Sequence, residues 1–271
     1  SHQPWFEHYR LIEDYFGRMS LALSSGKPVR EVAVIHPIRS AWEQIHQPAR
    51  RDMCADVDSA LYSLCDTLLY SQVDFDFIDE ILFEQHGSLR KGSLRLNRAS
   101  YKIVVVPQMS VMSPSMAKAL IDGRKQGLHV VHAGKGKVRV YDSRTPGRTL
   151  DSLTKRLNAL LKENRVNESR LPAHLKAFMK EPVEVLPEHR VLHMLRKDGK
   201  ERLLFLTNQE DKPVDLTVTV KGGNKLALWD GETGRHAPYT AEANKGRATF
   251  HIRLDEAGSA LFSYQSGKPD A

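Results

Sequence analysis

The sequence predicts an α/β domain followed by an all-β domain. In the first half, short apolar runs rich in Val and Ile alternate with helical segments, an order typical of parallel strands joined by crossovers. In the last third, apolar and polar residues alternate with a period of two, which is typical of strands with one buried face. A length of 271 residues is sufficient for two domains that each bury a core.

The crossover pattern is clearest between residues 100 and 134. Residues 102–106 predict a strand buried on both faces, and residues 128–132 predict a second one. Between them Ser113 can cap a helix whose first position is a proline. The segment therefore predicts a parallel strand–helix–strand unit.

Four runs of this kind predict the strands of one sheet: residues 32–35, 75–78, 102–106 and 128–132. Residues 138–141 are expected to add an edge strand. We interpret this sheet as flavodoxin-like or glutaminase-like, with residues 1–141 as its domain.

Two further segments of this domain carry structural expectations. Residues 6–24 have apolar side chains on more than one face, which predicts a largely buried helix. Residues 86–97 are polar and contain glycine, which predicts a loop or a small hairpin.

The last part of the chain predicts a small antiparallel β-sandwich over residues 184–271. Six short strands are separated by turn signals such as Asp-Gly and Gly-Gly. These strands are residues 189–195, 202–207, 214–220, 225–229, 248–254 and 259–264.

Residues 142–183 are interpreted as a basic helical linker between the two domains. Residues 144–180 hold nine Lys or Arg against three acidic residues, and a stripe of leucines runs through the same segment at helical spacing. Basic surface can bind an anion or a nucleic acid. The leucine stripe favours a simpler interpretation, in which the charges form the solvated face of a helix.

Composition predicts a soluble protein without a membrane partner, because 41% of the residues are hydrophobic and no apolar run is long enough to span a bilayer. The compartment stays open, and a periplasmic or secreted location within a larger parent is compatible with the sequence. Cys54 and Cys65 are the two cysteines. On one helix their separation is about 16 Å, so we expect two free thiols.

Polar side chains follow the predicted parallel strands, where ligands bind in open α/β sheets. They combine an aromatic face, carboxylates and an arginine, a set that suits a sugar; the residues are His36, Arg39, Trp42, Asp76 and His132. The alternative is that they are ordinary polar loop residues. Trp229 enters a Trp-Asp-Gly turn, where a core tryptophan is favoured over a sugar-binding platform.

Sequence motifs for catalysis are absent. No G-x-S-x-G nucleophile elbow occurs, and the HAGKGK segment at residues 132–137 lacks the spacing of a phosphate-binding loop. No pair of histidines at i, i+4 spacing comes with the glutamate that a zinc helix would need, and two cysteines cannot form a closed zinc site. The sequence therefore predicts no catalytic residue, no metal site and no cofactor.

Several segments together resemble a known family. Residues 3–42 contain Gln-Pro-Trp, a Tyr-x-x-Arg-x-Ser helix and a strand that ends in Pro before a polar loop and a Trp. DFDFIDEILF, YKIVVVPQM, LWDGETGRHAPY and AGSALFSY follow in order. This set resembles the region after the catalytic barrel in bacterial glycoside hydrolases of the α-L-rhamnosidase type, family 106.

The resemblance implies a glutaminase-like domain without its nucleophile, followed by a terminal sandwich. It also implies a non-catalytic accessory region that supports an N-terminal barrel outside this chain and contributes to its substrate cleft. The partners would then be that barrel and a carbohydrate, either rhamnose-containing or another plant or bacterial glycan. Two alternatives stay open: a stand-alone carbohydrate-binding module, and anion or nucleic-acid binding through the basic linker.

Overall fold

A computed structural model describes residues 3–45, 51–142 and 147–265 of the chain. It divides into two units. The α/β unit consists of Arg30–Leu68 and Val73–Lys180. The β unit consists of Leu69–Gln72 together with the described parts of residues 1–29 and 181–271.

Seven α-helices and two 3-10 helices are found in the described residues. The α-helices are α1 (Tyr9–Ser24), α2 (Ile38–Ile45), α3 (Arg51–Tyr70), α4 (Glu80–His86), α5 (Pro114–Lys125), α6 (Gly147–Glu163) and α7 (Leu171–Lys176). The 3-10 helices are Phe6–His8 and Glu168–Arg170.

The strands of the first 140 residues are short. They are β1 (Lys27–Pro28), β2 (Val32–Ile35), β3 (Phe75–Ile78), β4 (Gly87–Arg90), β5 (Ser93–Leu96), β6 (Ala99–Tyr101), β7 (Ile103–Val106), β8 (Val111–Met112), β9 (His129–His132) and β10 (Arg139–Val140).

The remaining strands belong to the β unit. They are β11 (Glu184–Leu186), β12 (Val191–Asp198), β13 (Glu201–Asn208), β14 (Val214–Lys221), β15 (Asn224–Trp229), β16 (His236–Pro238), β17 (Glu242–Asn244), β18 (Arg247–Leu254) and β19 (Ser259–Gln265).

A four-stranded parallel sheet in the order β3-β2-β7-β9 forms the centre of the α/β unit. Every residue of β2 and β7 is buried. Alternate side chains enter different cores: Ala33 and Ile35 lie in one hydrophobic cluster, and Val32 and Val34 lie in the other. The four predicted parallel strands are confirmed, and their β-branched composition follows from burial on both faces.

Helices cover both faces of this sheet. On one face α5 and α6 contribute Met116, Leu120, Leu157 and Leu161 to the first cluster. On the other face α3 and α7 contribute residues such as Leu64 and Leu171 to the second. The cap predicted for α5 is confirmed, because Met116 N donates to Ser113 Oγ at 3.2 Å.

The basic segment after residue 142 differs from the linker that the sequence predicts. The leucine stripe of α6 packs into the core beside the parallel sheet, so residues up to Lys180 group with the α/β unit. Its basic side chains, such as Lys155, Arg156 and Lys162, are exposed, as a solvated helix face predicts. The leucine stripe, which favoured the interpretation of the basic residues as a solvated helix face, is therefore also the reason why this segment belongs to the α/β unit.

Two connections of the α/β unit differ from their predictions. Residues 86–97 were expected as a loop or small hairpin, and the structure extends that hairpin into the three-stranded antiparallel sheet β4-β5-β6. Lys91 and Gly92 form its turn with positive φ angles. The edge strand expected at residues 138–141 is present as β10, but it pairs with β8 in a separate two-stranded sheet.

Gly134 in the HAGKGK segment has a packing role. A Cβ atom there would lie 2.6 Å from the carbonyl oxygen of Pro107 and 2.8 Å from Gln108 Cα. Only glycine therefore allows the loops after β7 and β9 to approach so closely. Lys135 N donates to Gln108 Oε1 at 2.5 Å and fixes the same contact.

The β unit contains two antiparallel sheets that share one core. Their strand orders are β1-β12-β13-β19-β15-β16 and β11-β14-β18-β17. Side chains from both sheets, such as Leu204, Phe262, Val218 and Phe250, form a single hydrophobic cluster. The alternation in β14 and β18 matches the pairing in which Val218 lies opposite Phe250.

Helix α1 belongs to the β unit, and the expectation that it is largely buried is wrong. Met19 is its one buried residue. Leu11, Ile12, Phe16 and Leu21 are exposed. A helix that packs on one side can bury only one stripe of its surface, so apolar residues on the other faces stay in contact with solvent.

Three other expectations concern the thiols, metals and membranes. Cys65 is a free thiol whose pKa is raised by burial, whereas the side chain of Cys54 lies outside the described part. Within the described ranges no three His, Cys, Asp or Glu side chains come together as metal ligands would. No helix in those ranges has the length and apolar character needed to cross a membrane.

A histidine pair connects β9 to α7. His129 Nε2 lies 3.0 Å from His174 Nε2, so one ring must donate and the other accept. The His129 ring also stacks on Phe178, with 3.7 Å between ring centroids. Burial, together with His174 and Arg124, lowers the pKa of His129 to about 4.

This pair predicts that stability falls with acidification from about pH 6.5 to about pH 4. Over that range the unfolded chain protonates residue 129, while the folded chain keeps His129 neutral, so protons favour unfolding. His129→Phe retains the stacked ring and removes the titration. We expect its melting temperature to drop less than that of the wild type between pH 7 and pH 4.

The control for this measurement is His86→Gln, which changes an exposed histidine of the same unit. Its pH dependence should match that of the wild type. An equal drop in the wild type and in His129→Phe would contradict the assignment.

Candidate functional site

The carboxyl edge of the parallel sheet is the first place where the sequence predicts a ligand. The strand order reverses between β2 and β7, because the strand preceding β7 in the chain, β3, pairs with the opposite side of β2. Open α/β sheets bind ligands in the crevice at such a point. The groups that surround this crevice therefore decide what it can bind.

Ser40 on α2 fills this crevice with hydrogen bonds to the chain itself. Its side chain is fully buried, and its Oγ accepts from the N–H groups of Ser110 at 3.0 Å and Val111 at 3.1 Å. Glu43, one turn further along α2, accepts from Ser110 Oγ at 2.9 Å and forms an ion pair with Arg139. The loop after β7 is thereby attached to α2 where a ligand would otherwise bind.

Arg39 is occupied by two carboxylates. It pairs with Glu84 at 3.1 Å and lies 3.6 Å from Glu80. Glu80 is fully buried and accepts a hydrogen bond from Ser113 N at 2.5 Å. Burial raises the pKa of Glu80 despite the Ser113 N–H group and the nearby Arg39. Arg39 therefore holds α2 and α4 together.

Asp76 lies in another internal network, on the outer strand β3. Arg30 donates to Asp74 at 2.9 Å and to Asp76 at 2.8 Å, and the Tyr101 hydroxyl donates to Asp76 at 2.7 Å. Burial and this hydrogen bond raise the pKa of Tyr101. The carboxylate of Asp76 is thus bound by two side chains of its own unit.

His132 ends β9 and is buried, and burial followed by the nearby Arg165 lowers its pKa. Its backbone N–H donates to Asn164 O at 2.9 Å, and its carbonyl accepts from Val166 N at 3.0 Å. Its Nδ1 atom has no hydrogen-bond partner among the described residues. His132 is consequently a buried side chain in a position that disfavours its charged form.

His36 and Trp42 keep accessible surface. The edge of the His36 ring contacts Phe77, with 5.4 Å between ring centroids. His36 also lines a small pocket of about 230 Å³ with Ala41 and Leu61. Trp42 projects from α2 and is exposed. Trp42 is thus the exposed one of the predicted residues, whereas His36, Arg39 and Asp76 are each partly exposed.

Trp229 lies in the β unit, at the end of β15. Its indole N–H donates to Ser263 Oγ at 2.7 Å, and His236 stacks on it with 4.7 Å between ring centroids. The ring lines a cleft of about 710 Å³, with Tyr15, Met19, Arg235, His236 and Ser259 among its other walls. Trp229 is therefore neither fully buried in the core nor a freely exposed platform. It forms a partly covered wall of a cleft.

The turn after Trp229 is bound by α1. Asp230 accepts hydrogen bonds from Glu232 N at 2.8 Å and Thr233 Oγ1 at 2.5 Å, and the hydroxyl contact lowers its pKa. Arg18 Nη1 donates to the carbonyls of Gly231 at 3.2 Å and Glu232 at 2.5 Å. Two motifs that are distant in sequence thus contact each other in the structure. They are the Tyr-x-x-Arg-x-Ser helix and the Trp-Asp-x-x-Thr-Gly turn.

Sequence reasoning missed the residues that close these networks. It named Arg18 and Asp230 as parts of motifs without joining them, and it did not assign a role to Glu43 or Glu80. Their partners lie far away in the chain: Ser110 for Glu43 and Ser113 for Glu80. The one local signal was that Glu80 lies two residues after the end of β3, at the start of α4.

Solved structures of glycoside hydrolases share this fold. A rhamnosidase from Novosphingobium sp. PP1Y matches with a TM-score of 0.72 and 18% identity, over 98% of this chain and 25% of that chain. A GH42 β-galactosidase from G. stearothermophilus matches with a TM-score of 0.60 and 10% identity, over 97% of this chain and 44% of that chain.

An α-L-fucosidase, isoenzyme 2 from Paenibacillus thiaminolyticus, matches with a TM-score of 0.56 and 12% identity, over 93% of this chain and 51% of that chain. The chain therefore spans between a quarter and about half of the length of these enzymes. In each of these glycoside hydrolases, the fold of this chain is thus found as one part of a longer chain.

The family model of α-L-rhamnosidase, glycoside hydrolase family 106, matches residues 1–241. The chain belongs to this family, and the resemblance seen in its motifs is confirmed. No protein of curated function matches the sequence.

The Ser40 network generates a stability prediction. Ser40→Ala should lower the free energy of unfolding by about 2 kcal/mol, because Ser110 N and Val111 N lose the acceptor that the fully buried Ser40 hydroxyl provides. Urea unfolding of the wild type and the variant measures this difference.

Ser115→Ala is the matched control, since Ser115 is exposed on α5. Its effect should stay within about 0.5 kcal/mol. If both variants unfolded at the same denaturant concentration, the closed crevice would not contribute to stability.

Proposed function

We propose that this chain is a non-catalytic accessory region of a rhamnosidase-like glycoside hydrolase. It supports a catalytic barrel that lies outside these residues, and the segment of residues 36–42, which includes the start of α2, contributes to the substrate cleft of that barrel. Membership of family 106 and the match to one quarter of a rhamnosidase support this function.

The closed crevice is the observation that carries the proposal. Ser40 and Arg39 bind groups of their own unit, so the carboxyl edge of the sheet serves to hold its loops in place. Asp76 is the second residue of β3 and pairs with Arg30 toward the amino ends of the strands, so it is not part of this edge. Trp42 is exposed there and His36 lines a small pocket, which is why the segment that carries them is assigned to the cleft. No catalytic residue is assigned to the chain.

The fold is proposed to be a flavodoxin-like or glutaminase-like α/β domain followed by a β-sandwich. In the parallel sheet the first strand in sequence lies between the second and the third, which is the order of flavodoxin-like sheets. The common core of the two antiparallel sheets supports the sandwich. A fold of this kind, in which side chains of the protein itself occupy the usual ligand position, suits a supporting role.

The accessory role predicts that the purified chain does not hydrolyse an aryl α-L-rhamnoside. The barrel is expected to supply the carboxylates that such hydrolysis requires. Release of the aryl group, followed by absorbance against a buffer control, measures the activity. Turnover that disappears in Glu80→Gln or Glu43→Gln would place catalysis in this chain and contradict the role.

Carbohydrate binding by the β unit is a second candidate function. The cleft beside Trp229 is large enough for a mono- or disaccharide, and the hydrogen bond to Ser263 fixes the indole ring in its wall. Aromatic side chains with nearby polar groups are typical walls of such sites. Rhamnose-containing glycans are the ligands proposed for it.

Calorimetry with rhamnose-containing plant and bacterial glycans tests this second function. Trp229→Ala should abolish binding if the cleft is the site, whereas Trp42→Ala should leave it unchanged. Loss of binding in Trp42→Ala alone would place the site at the segment of residues 36–42 instead. A melting curve of each variant separates loss of binding from loss of folding.

A further inference from the structure

Helix α1 carries a row of exposed apolar side chains. We call Trp5, Tyr9, Ile12 and Phe16 the α1 stripe; they are 55%, 42%, 50% and 60% exposed. Their spacing of four, three and four residues places them along one side of the helix and of the 3-10 turn before it. The rings of Trp5 and Tyr9 are in contact, with 5.9 Å between their centroids.

The stripe is presented in a fixed direction, because α1 is attached to the β unit along a neighbouring side. Met19 is buried there, and Arg18 binds the carbonyls of Gly231 and Glu232. Gly231 allows this approach, since a Cβ atom at that position would lie 2.7 Å from the Tyr15 ring. The helix therefore cannot turn its apolar side inward without losing these contacts.

Charged residues lie beside the stripe. Arg10 and Asp14 are 3.7 Å apart, and Asp14 lies 3.9 Å from Arg18. An apolar centre beside charged groups is the usual composition of a protein interface, and neighbouring exposed apolar side chains mark such surfaces. The α1 stripe has the character of one half of a helix-in-groove contact.

The comparisons indicate which surface would cover it. Almost the whole of this chain matches solved glycoside hydrolases, yet it accounts for 25%, 44% and 51% of three of their chains. The same fold thus occurs there together with a further part of the same polypeptide, which makes up between about half and three quarters of it. A second copy of this chain has no comparable support.

We propose that the α1 stripe docks into an apolar groove on the catalytic domain of the same glycoside hydrolase. This inference rests on the accessory function proposed above and adds the surface through which that function is exerted. Burial of the four side chains would join the two parts of the enzyme, with Arg18 holding α1 in the required orientation.

Oxidative footprinting of the stripe tests the proposal directly. Hydroxyl-radical labelling of Trp5, Tyr9 and Phe16 is compared between the 271-residue chain and the enzyme encoded by the complete reading frame. We expect labelling in the complete enzyme to be at most about one fifth of that in the 271-residue chain, because the centre of an interface excludes water. Equal labelling in the two proteins would overturn the docking proposal.

A pair of matched double variants adds a second measurement. Ile12→Gln with Phe16→Gln changes the stripe, and Glu13→Gln with Gly17→Gln changes exposed positions one residue further along α1. In the 271-residue chain both should melt within about 2 °C of the wild type, since all four positions are exposed. In the complete enzyme only the stripe variant should lower the melting temperature and raise labelling at Tyr9.

The possible failures are distinguishable. A reading frame without a catalytic domain would overturn both the accessory function and the docking. A catalytic domain together with an unprotected stripe would overturn the docking alone. Dimerisation of the 271-residue chain that the stripe variant abolishes would identify a second copy as the partner and would also overturn it.

Discussion

Burial of the parallel sheet on both faces is the constraint on which the α/β unit depends. All residues of β2 and β7 are excluded from solvent, so each face requires its own layer of helices. The basic segment satisfies this requirement with leucines from α6 on one face and α7 on the other. A stretch with a strong positive charge is thereby an obligatory part of a hydrophobic core, and its charge is confined to the side that faces water.

The same sheet explains why the carboxyl edge is a poor ligand site. Strands buried on both faces end in loops whose polar groups have little water near them, and an unsatisfied buried group is costly. Ser40, Glu43 and Glu80 supply partners for these groups from neighbouring helices. The polar side chains that first suggested a sugar site thus lie among groups that form hydrogen bonds with the loops at this edge.

Much of the fold could be predicted from local pattern, because strand burial and capping leave signals within a few residues. The four parallel strands, the Ser113 cap and the alternation in β14 and β18 are of this kind. The position of α1 could not be predicted, since apolar residues on several faces of a helix do not indicate which face packs against the rest of the protein. The closure of the edge also left no local signal, because Ser40 and Val111 are 71 positions apart.

The contact between Arg18 and the turn after Trp229 joins positions 213 residues apart in the chain. A ribosome makes α1 well before this turn, so the helix cannot form this contact until the turn, 213 residues further along, has been synthesised. Closing so long a loop costs conformational entropy and tends to come late in folding. Completion of the β unit around α1 therefore depends on a turn that is made much later, and until then α1 lacks the contacts that Arg18 makes with that turn.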